Sequence, residues 1–148
     1  MNILVAIDLS DVSQKILENA KTLALALSAK VWLLHVAEPE PDFVGYRAGP
    51  QSVRDQVAHK FHEERDELQK EVNDFRKSGI DTAALLVQGS TVDVICRESN
   101  KFEIDMIIVG SHGHGGVYHL VFGSVSEGVL HRSSCPVMVI PTHNRECR

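Results

Sequence analysis

The chain has 148 residues, the length of a single domain, and its 43% hydrophobic and 24% charged residues exclude the disordered and fibrous classes. Fifteen Lys and Arg against twenty Asp and Glu give a net charge of -5, so no overall positive field collects nucleic acid or an anionic membrane. No stretch reaches the roughly 18 uninterrupted apolar residues of a membrane span, and the first residues lack the features of a signal peptide. We therefore expect a cytoplasmic protein that binds neither nucleic acid nor membrane.

Five apolar runs of strand length occur along the chain. They are continuous rather than alternating, which is typical of strands buried on both faces of a parallel sheet. The predicted strands cover residues 3–7, 31–36, 83–87, 105–109 and 137–140.

Helical patterns separate these runs. The first two segments repeat apolar residues every three or four positions, and the second is long and highly charged. The third begins near Ser90, which stands three residues before Asp93 as in a capping box, and Pro136 stops any continuation of the fourth. The predicted helices cover about residues 12–27, 53–75, 90–101 and 117–133.

The alternation of strands and helices predicts an α/β fold. It requires right-handed crossovers and gives a doubly wound sheet with helices on both faces. We expect one domain over residues 1–142, with a five-stranded parallel sheet of order 3-2-1-4-5, and a flexible tail over residues 143–148. Ligands of such sheets bind beyond the carboxyl ends of the strands, where the winding reverses. Residues 38–50 hold three prolines without periodicity and predict a flexible loop at that end, placed to act as a lid.

The densest motif follows the fourth strand. Gly110 and Gly113 are separated by two residues, and Gly123 and Ser124 follow after nine more. Glycines after a strand let backbone N–H groups converge on an anion, and a helix start adds a favourable partial charge. The spacing is not a Walker A motif, because no Lys follows the last glycine, and not the dinucleotide motif that follows a first strand. The segment therefore predicts phosphate binding.

This G-x-x-G, nine residues, G-S arrangement is similar to the nucleotide-binding signature of ATP-binding universal stress proteins. The D-x-S-x-x-S segment from Asp8 to Ser13 resembles that family's opening, and residues 134–140 resemble its usual start of the last strand. The resemblance spans almost the whole chain. It implies a protein that binds ATP with magnesium and acts as a nucleotide-dependent sensor or regulator in the stress response.

The resemblance also implies roles for individual residues. Asp8 would approach the ribose or a bound magnesium ion, and the backbone of Val36 would meet the adenine edge. Gly110 would pack under the ribose, while Ala6 and Ile7 would form the floor of the site. The residues that hold the phosphates through N–H and hydroxyl groups, or lie beside them, would be His112, Gly113, Gly123, Ser124, Val125 and Ser126.

Several of these residues have a structural alternative. Gly123 could simply let the fourth helix pack closely on the sheet, and Asp8 or Ser10 could cap the first helix. The histidines of the glycine segment lack the carboxylate or the i, i+4 partner of typical zinc sites. We interpret His35 as a hydrogen-bonded core residue and residues 62–67 as a solvated helix face of mixed charge.

Two other functions compete with nucleotide sensing. A slow ATP hydrolase or phosphotransferase would also need a group that offsets transition-state charge, yet Arg132 stands at the far end of the fourth helix. A dimeric interaction module without bound nucleotide is the other alternative, and the intact motif argues against it. The last strand, Val137 to Ile140, is apolar and ends the sheet, so its edge invites pairing with a second copy. The resemblance likewise implies a homodimer through this strand.

Overall fold

The structure is a computed structural model, and it describes residues 1–39, 51–111 and 123–143. The strands are β1 (Asn2–Ile7), β2 (Lys30–Ala37), β3 (Thr82–Gln88), β4 (Met106–Gly110) and β5 (Val137–Ile140). The helices are α1 (Ser13–Leu27), α2 (Gln51–Lys77), α3 (Thr91–Lys101) and α4 (Ser124–Arg132). Each predicted strand coincides with an observed one to within a residue at either end.

The five strands form one parallel sheet in the order β3-β2-β1-β4-β5, which confirms the predicted topology. β1 lies at the centre and pairs with β2 on one side and with β4 on the other. Because both faces of a central strand are covered, every residue along it can be apolar, and this produces the continuous runs of the sequence.

Two hydrophobic clusters show that helices cover both faces of the sheet. Along β1, Ile3 and Val5 belong to the cluster that includes the buried residues of α1 and α2, whereas Leu4 belongs to the cluster with α3 and α4. On α2, Leu68 and Phe75 are almost fully buried. Burial of such a side chain contributes about 1.5–3 kcal/mol, so these clusters hold the helices on the sheet.

The last helix differs from its prediction. α4 begins at Ser124, and Gly123 before it is extended, with φ -72° and ψ 159°, so no helix runs through Gly123 from residue 117. The prediction rested on the spacing of apolar residues, and this spacing does not show that the helix begins after a glycine. The part of the prediction over residues 117–122 lies outside the described residues, as do residues 40–50 of the predicted loop and 144–148 of the predicted tail.

The capping box predicted for α3 does not form. Ser90 is the residue before the helix, as expected, but its side chain makes no capping hydrogen bond within the described part of the chain. The carboxylate of Asp93 instead accepts a hydrogen bond from Arg132 of α4 at 2.5 Å. The Asp93 carboxylate is thus held by a contact between two helices, together with a weaker bond from the Ser90 side chain, and not by a capping box.

Candidate functional site

The centre of the sheet opens at its carboxyl edge. β1 pairs with β2 as far as Ile7, opposite His35, but its pairing with β4 ends at Val5, opposite Ile108. Ala6 and Ile7 therefore lie beyond the last pair with β4, at the point where the strand order reverses. In doubly wound sheets this crevice is where ligands bind.

α4 directs its N-terminus at this edge, because it follows β4 and turns back along the sheet. The first N–H groups of an α-helix have no partner within the helix, and they carry a positive partial charge. Gly123 cannot cap them with a side chain, and no other side chain does so in the described residues. Ser124 is exposed and lies beside backbone N–H groups that can donate hydrogen bonds to an anion.

The start of α4 is fixed to the end of β4. The N–H of Gly123 donates to the carbonyl of Ser111 at 2.6 Å, one residue beyond β4. Ser126 is buried, and its hydroxyl donates to the carbonyl of Gly123 at 2.9 Å. Ser126 thus organises the first turn of α4 with its hydroxyl, while Val125 beside it is half-buried.

Asp8 is held at the edge of the crevice by its own loop. Its Oδ1 atom accepts hydrogen bonds from the N–H and hydroxyl of Ser10, at 3.1 and 2.5 Å, and from the hydroxyl of Ser13, at 2.9 Å. Leu9 between them has φ 60°, a left-handed conformation that costs a side-chain-bearing residue about 1–3 kcal/mol. The loop therefore fixes the position of an exposed carboxylate.

Neither Asp8 nor Ser10 caps α1, so that structural alternative does not hold. The helix begins after Val12, which makes no side-chain capping bond among the described residues. The spacing of the D-x-S-x-x-S segment has another reason: its two serines supply hydroxyl donors to its aspartate. Sequence reasoning missed this bonding pattern, although the residue types contain it.

The residues predicted for the adenosine part lie at the same edge. β2 continues past its last pair with β1, so Val36 borders the crevice while it pairs with Val87 on the other side. Gly110 ends β4 and is half-buried. The structure thus brings Ala6, Ile7, Asp8, Val36, Gly110 and the start of α4 to one edge of the sheet. His112 and Gly113 lie outside the described residues.

His35 is a buried polar residue directly behind this site. It is only 7% exposed, and its Nδ1 atom lies 3.0 Å from the carbonyl oxygen of Ile7, the residue before Asp8. A carbonyl only accepts, so Nδ1 carries the hydrogen. The interpretation of His35 as a hydrogen-bonded core residue is confirmed, and the bond holds the end of β1 in place.

Glu64 of α2 faces this histidine. Its Oε2 atom lies 3.2 Å from His35 Nε2, although the approach lacks hydrogen-bond geometry, and Nε2 makes no hydrogen bond to the described residues. The Glu64 side chain is 18% exposed, so the prediction that residues 62–67 form a solvated face is wrong at this position. The signal was present, because Glu64 continues the apolar stripe between Phe61 and Leu68 at helical spacing.

The described residues contain no group of three or more His, Cys, Asp or Glu side chains that could hold a metal ion. In the same part of the chain, no helix is both long enough and apolar enough to cross a membrane.

A doubly wound parallel sheet with a helix N-terminus at its switch point defines a Rossmann-like α/β protein. The family model described as "Universal stress protein family" matches residues 1–141. The chain belongs to the universal stress protein family, as the sequence motifs indicated.

Relatives match over most of their length. A universal stress protein of Methanocaldococcus jannaschii is 28% identical over 97% of this chain and 84% of its own. A universal stress protein from Thermus aquaticus is 30% identical, and the match covers 93% of this chain and 96% of that protein.

Solved structures show the same fold. The universal stress protein UspA of Lactobacillus plantarum has a TM-score of 0.82 at 22% identity, covering 95% of this chain and 97% of its own. A universal stress protein in complex with cAMP has a TM-score of 0.72 at 21% identity, with coverages of 97% and 98%. One from Archaeoglobus fulgidus in complex with dAMP has a TM-score of 0.66 at 22% identity, with coverages of 95% and 97%.

Proposed function

We propose that this protein binds an adenine nucleotide, ATP with magnesium, in the crevice between β1 and β4, and acts in the cytoplasm as a nucleotide-dependent sensor or regulator of the stress response. The observation that carries the proposal is the N-terminus of α4 at the switch point of the sheet, which no side chain of the described residues caps. Two relatives of the same fold were solved with adenine nucleotides, one with cAMP and one with dAMP. These two ligands support the proposal that the ligand of this protein is an adenine nucleotide.

The phosphates bind at the start of α4. Backbone N–H groups of Ser124 and Val125 and the exposed hydroxyl of Ser124 supply the donors, and hydrogen bonds to charged oxygens are about twice as strong as neutral ones. The resemblance to the family adds Gly113 and His112, which precede α4 in the sequence, to the residues that hold the phosphates or lie beside them. No lysine is needed, because the amides and the helix dipole provide the positive potential.

Magnesium fits the donor set, although a single carboxylate does not make a metal site alone. Mg²⁺ is usually bound by one or two carboxylates, several waters and the phosphate oxygens of a ligand. Asp8 supplies such a carboxylate, and the bonds from Ser10 and Ser13 orient it. The ion, when bound, neutralises part of the phosphate charge.

The adenosine part lies along the ends of the central strands. Ala6 and Ile7 form the floor, because they extend past the last pair of β1 with β4. The backbone of Val36 meets the adenine edge, and Gly110 lies under the ribose. Each of these residues is apolar or lacks a side chain, which suits the flat faces of a base and a sugar.

Sensing is favoured over hydrolysis by the position of Arg132, the first Lys or Arg that follows Ser124 along the chain. Phosphoryl transfer requires a group that offsets the charge of the transition state. Arg132 is the last residue of α4, about 12 Å along the helix from Ser124, and it is bonded to Asp93. Its position suits a structural contact, so binding without rapid turnover is the function that we propose.

The first experiment identifies the ligand. The purified protein is denatured, and the released small molecules are analysed by mass spectrometry. We expect an adenine nucleotide, and an isothermal titration of the ligand-free protein with Mg-ATP to show saturable binding. Protein that releases no nucleotide and gives no heat of binding would contradict the proposal.

A matched pair of serine variants locates the phosphates. Ser124→Ala removes a hydroxyl at the start of α4 and is expected to weaken Mg-ATP binding about tenfold, since a hydrogen bond to a charged group contributes about 1.5–3 kcal/mol. Ser134→Ala is the control, because Ser134 is an equally exposed serine past the other end of α4, bonded to Asn100. Equal affinity of both variants would remove Ser124 from the site.

A further inference from the structure

Ser111 uses three polar groups to connect three elements. Its N–H donates to the carbonyl of Ile140, the last residue of β5, at 2.8 Å. Its hydroxyl oxygen accepts from the N–H of Thr142 at 3.1 Å and lies 3.2 Å from the Thr142 hydroxyl. Its carbonyl accepts from the N–H of Gly123 at 2.6 Å. The residue that follows β4 is thus bonded to both the end of β5 and the start of α4.

These bonds form a short, continuous path. Gly123 directly precedes the N–H groups at which we place the phosphates, so an anion there acts on the residue that Ser111 holds. Thr142 lies two residues beyond β5, in the described residues 141–143, which belong to none of the described strands. Ser111 therefore supplies an acceptor for a backbone N–H that the sheet does not use.

We propose that Ser111 is a positioning residue that couples nucleotide binding at α4 to the order of the backbone around Thr142, just after β5. This inference rests on the proposed function. An anion that fixes the first turn of α4 also fixes the Gly123 N–H against the Ser111 carbonyl, and this restrains the Ser111 hydroxyl that holds Thr142. Because coupling between two sites is reciprocal, an ordered β5 end in turn favours the bound ligand.

The coupled segment lies at an edge of the sheet. β5 pairs only with β4 among the described strands, so none of them occupies its other side. The nucleotide state of the crevice is therefore transmitted to the strand through which we expect a second copy to bind. Ser111 is the residue where the ligand site and this edge meet.

The test measures hydrogen exchange of the Thr142 amide with and without saturating Mg-ATP. In the unaltered protein we expect the ligand to slow this exchange about fivefold or more. In Ser111→Ala the slowing is expected to vanish, while Mg-ATP still binds with an affinity lowered severalfold. Ser111→Thr keeps the hydroxyl and is expected to restore the slowing, which a merely structural role of the side chain would not predict.

Ser134→Ala is the matched control, because it removes a serine hydroxyl near the other end of β5 and should leave the slowing intact. Should Ser111→Ala not fold, Thr142→Val removes one of the two contacts to the Ser111 hydroxyl and is expected to reduce the slowing. Exchange at Thr142 that does not respond to bound Mg-ATP, or responds equally in Ser111→Ala, overturns the inference alone. A titration without any binding overturns the proposed function as well.

Discussion

At the scale of residues, Asp8 gains its fixed position from hydrogen bonds that are local in sequence. Its carboxylate accepts from serines two and five positions later, and the left-handed Leu9 turns the chain between them. Ser13 is the more consequential of the two donors, because it is only 2% exposed and joins the loop to the first turn of α1. Loss of its hydroxyl should therefore affect both the fold and the carboxylate.

We predict that Ser13→Ala lowers the free energy of unfolding by about 1 kcal/mol and weakens Mg-ATP binding. The stability change follows from the lost hydrogen bond, and the affinity change follows because Asp8 is less firmly oriented. Urea unfolding and isothermal titration measure the two quantities. Ser99→Ala is the control, since Ser99 is equally buried but donates to the Cys96 carbonyl in α3. A loss of affinity in both variants would contradict a specific role for Ser13.

At the scale of elements, α3 and α4 are joined by both shape and charge. A Cβ atom at Gly128 would lie 2.9 Å from Val92 Cγ2, so the glycine permits the close approach of the two helices. This approach to α3 is separate from the close packing on the sheet that the sequence suggested for Gly123, which stays a prediction. The salt bridge between Asp93 and Arg132 lies on the same interface and fixes the far end of α4.

We predict that the contribution of Asp93 to stability depends on pH. The hydrogen bond from Arg132, followed by a smaller one from Ser90, lowers the pKa of Asp93 below its ordinary value of 3.8. A lowered folded-state pKa adds stability above 3.8, and this stability is lost as the pH falls through the folded-state value.

The comparison of Asp93→Asn with the unaltered protein tests this sign. The difference in urea midpoint should be present at neutral pH, shrink below pH 3.8 and decrease with added salt, because both partners are exposed. Asp66→Asn, a change at an exposed position of α2, is the control and should show no such trend. A constant difference across the pH range would contradict the prediction.

At the scale of the whole molecule, the strand order leaves β3 and β5 at the two sides of the sheet. β5 consists of four apolar residues, and none of the described strands pairs with its outer edge. An apolar edge with unpaired backbone groups is a template for another strand. This supports the predicted homodimer through Val137–Ile140.

We predict that sedimentation velocity at micromolar concentration shows a species of twice the 16.4 kDa of one chain. Val139→Lys places a charge on the edge strand β5, at a half-buried residue that packs against the cluster with α3 and α4, and should shift the protein toward the monomer. Circular dichroism of the same variant checks that the fold is retained. A single species of 16.4 kDa in the unaltered protein would contradict dimer formation.

The sequence by itself determined the elements and their order. Strands buried on both faces are continuous apolar runs, and amphipathic helices repeat every three or four residues, so both patterns are local and readable. The glycine and serine spacings likewise indicated the family and the carboxyl edge of the sheet as the place of the site. The roles of Asp8, Val36, Gly110 and Ser124 toward a ligand stay predictions, and so do those of His112 and Gly113.

Only the tertiary structure decided which polar groups satisfy one another. His35 meets Ile7 across 28 residues, and Ser111 meets Thr142 across 31. The main bond of the Asp93 carboxylate is to Arg132, a residue 39 positions away. Propensity and spacing describe a residue's neighbours along the chain, whereas these contacts depend on how helices and strands are placed in space. The start of α4 belongs to the same class, because the bond from Gly123 to Ser111 fixes where that helix begins.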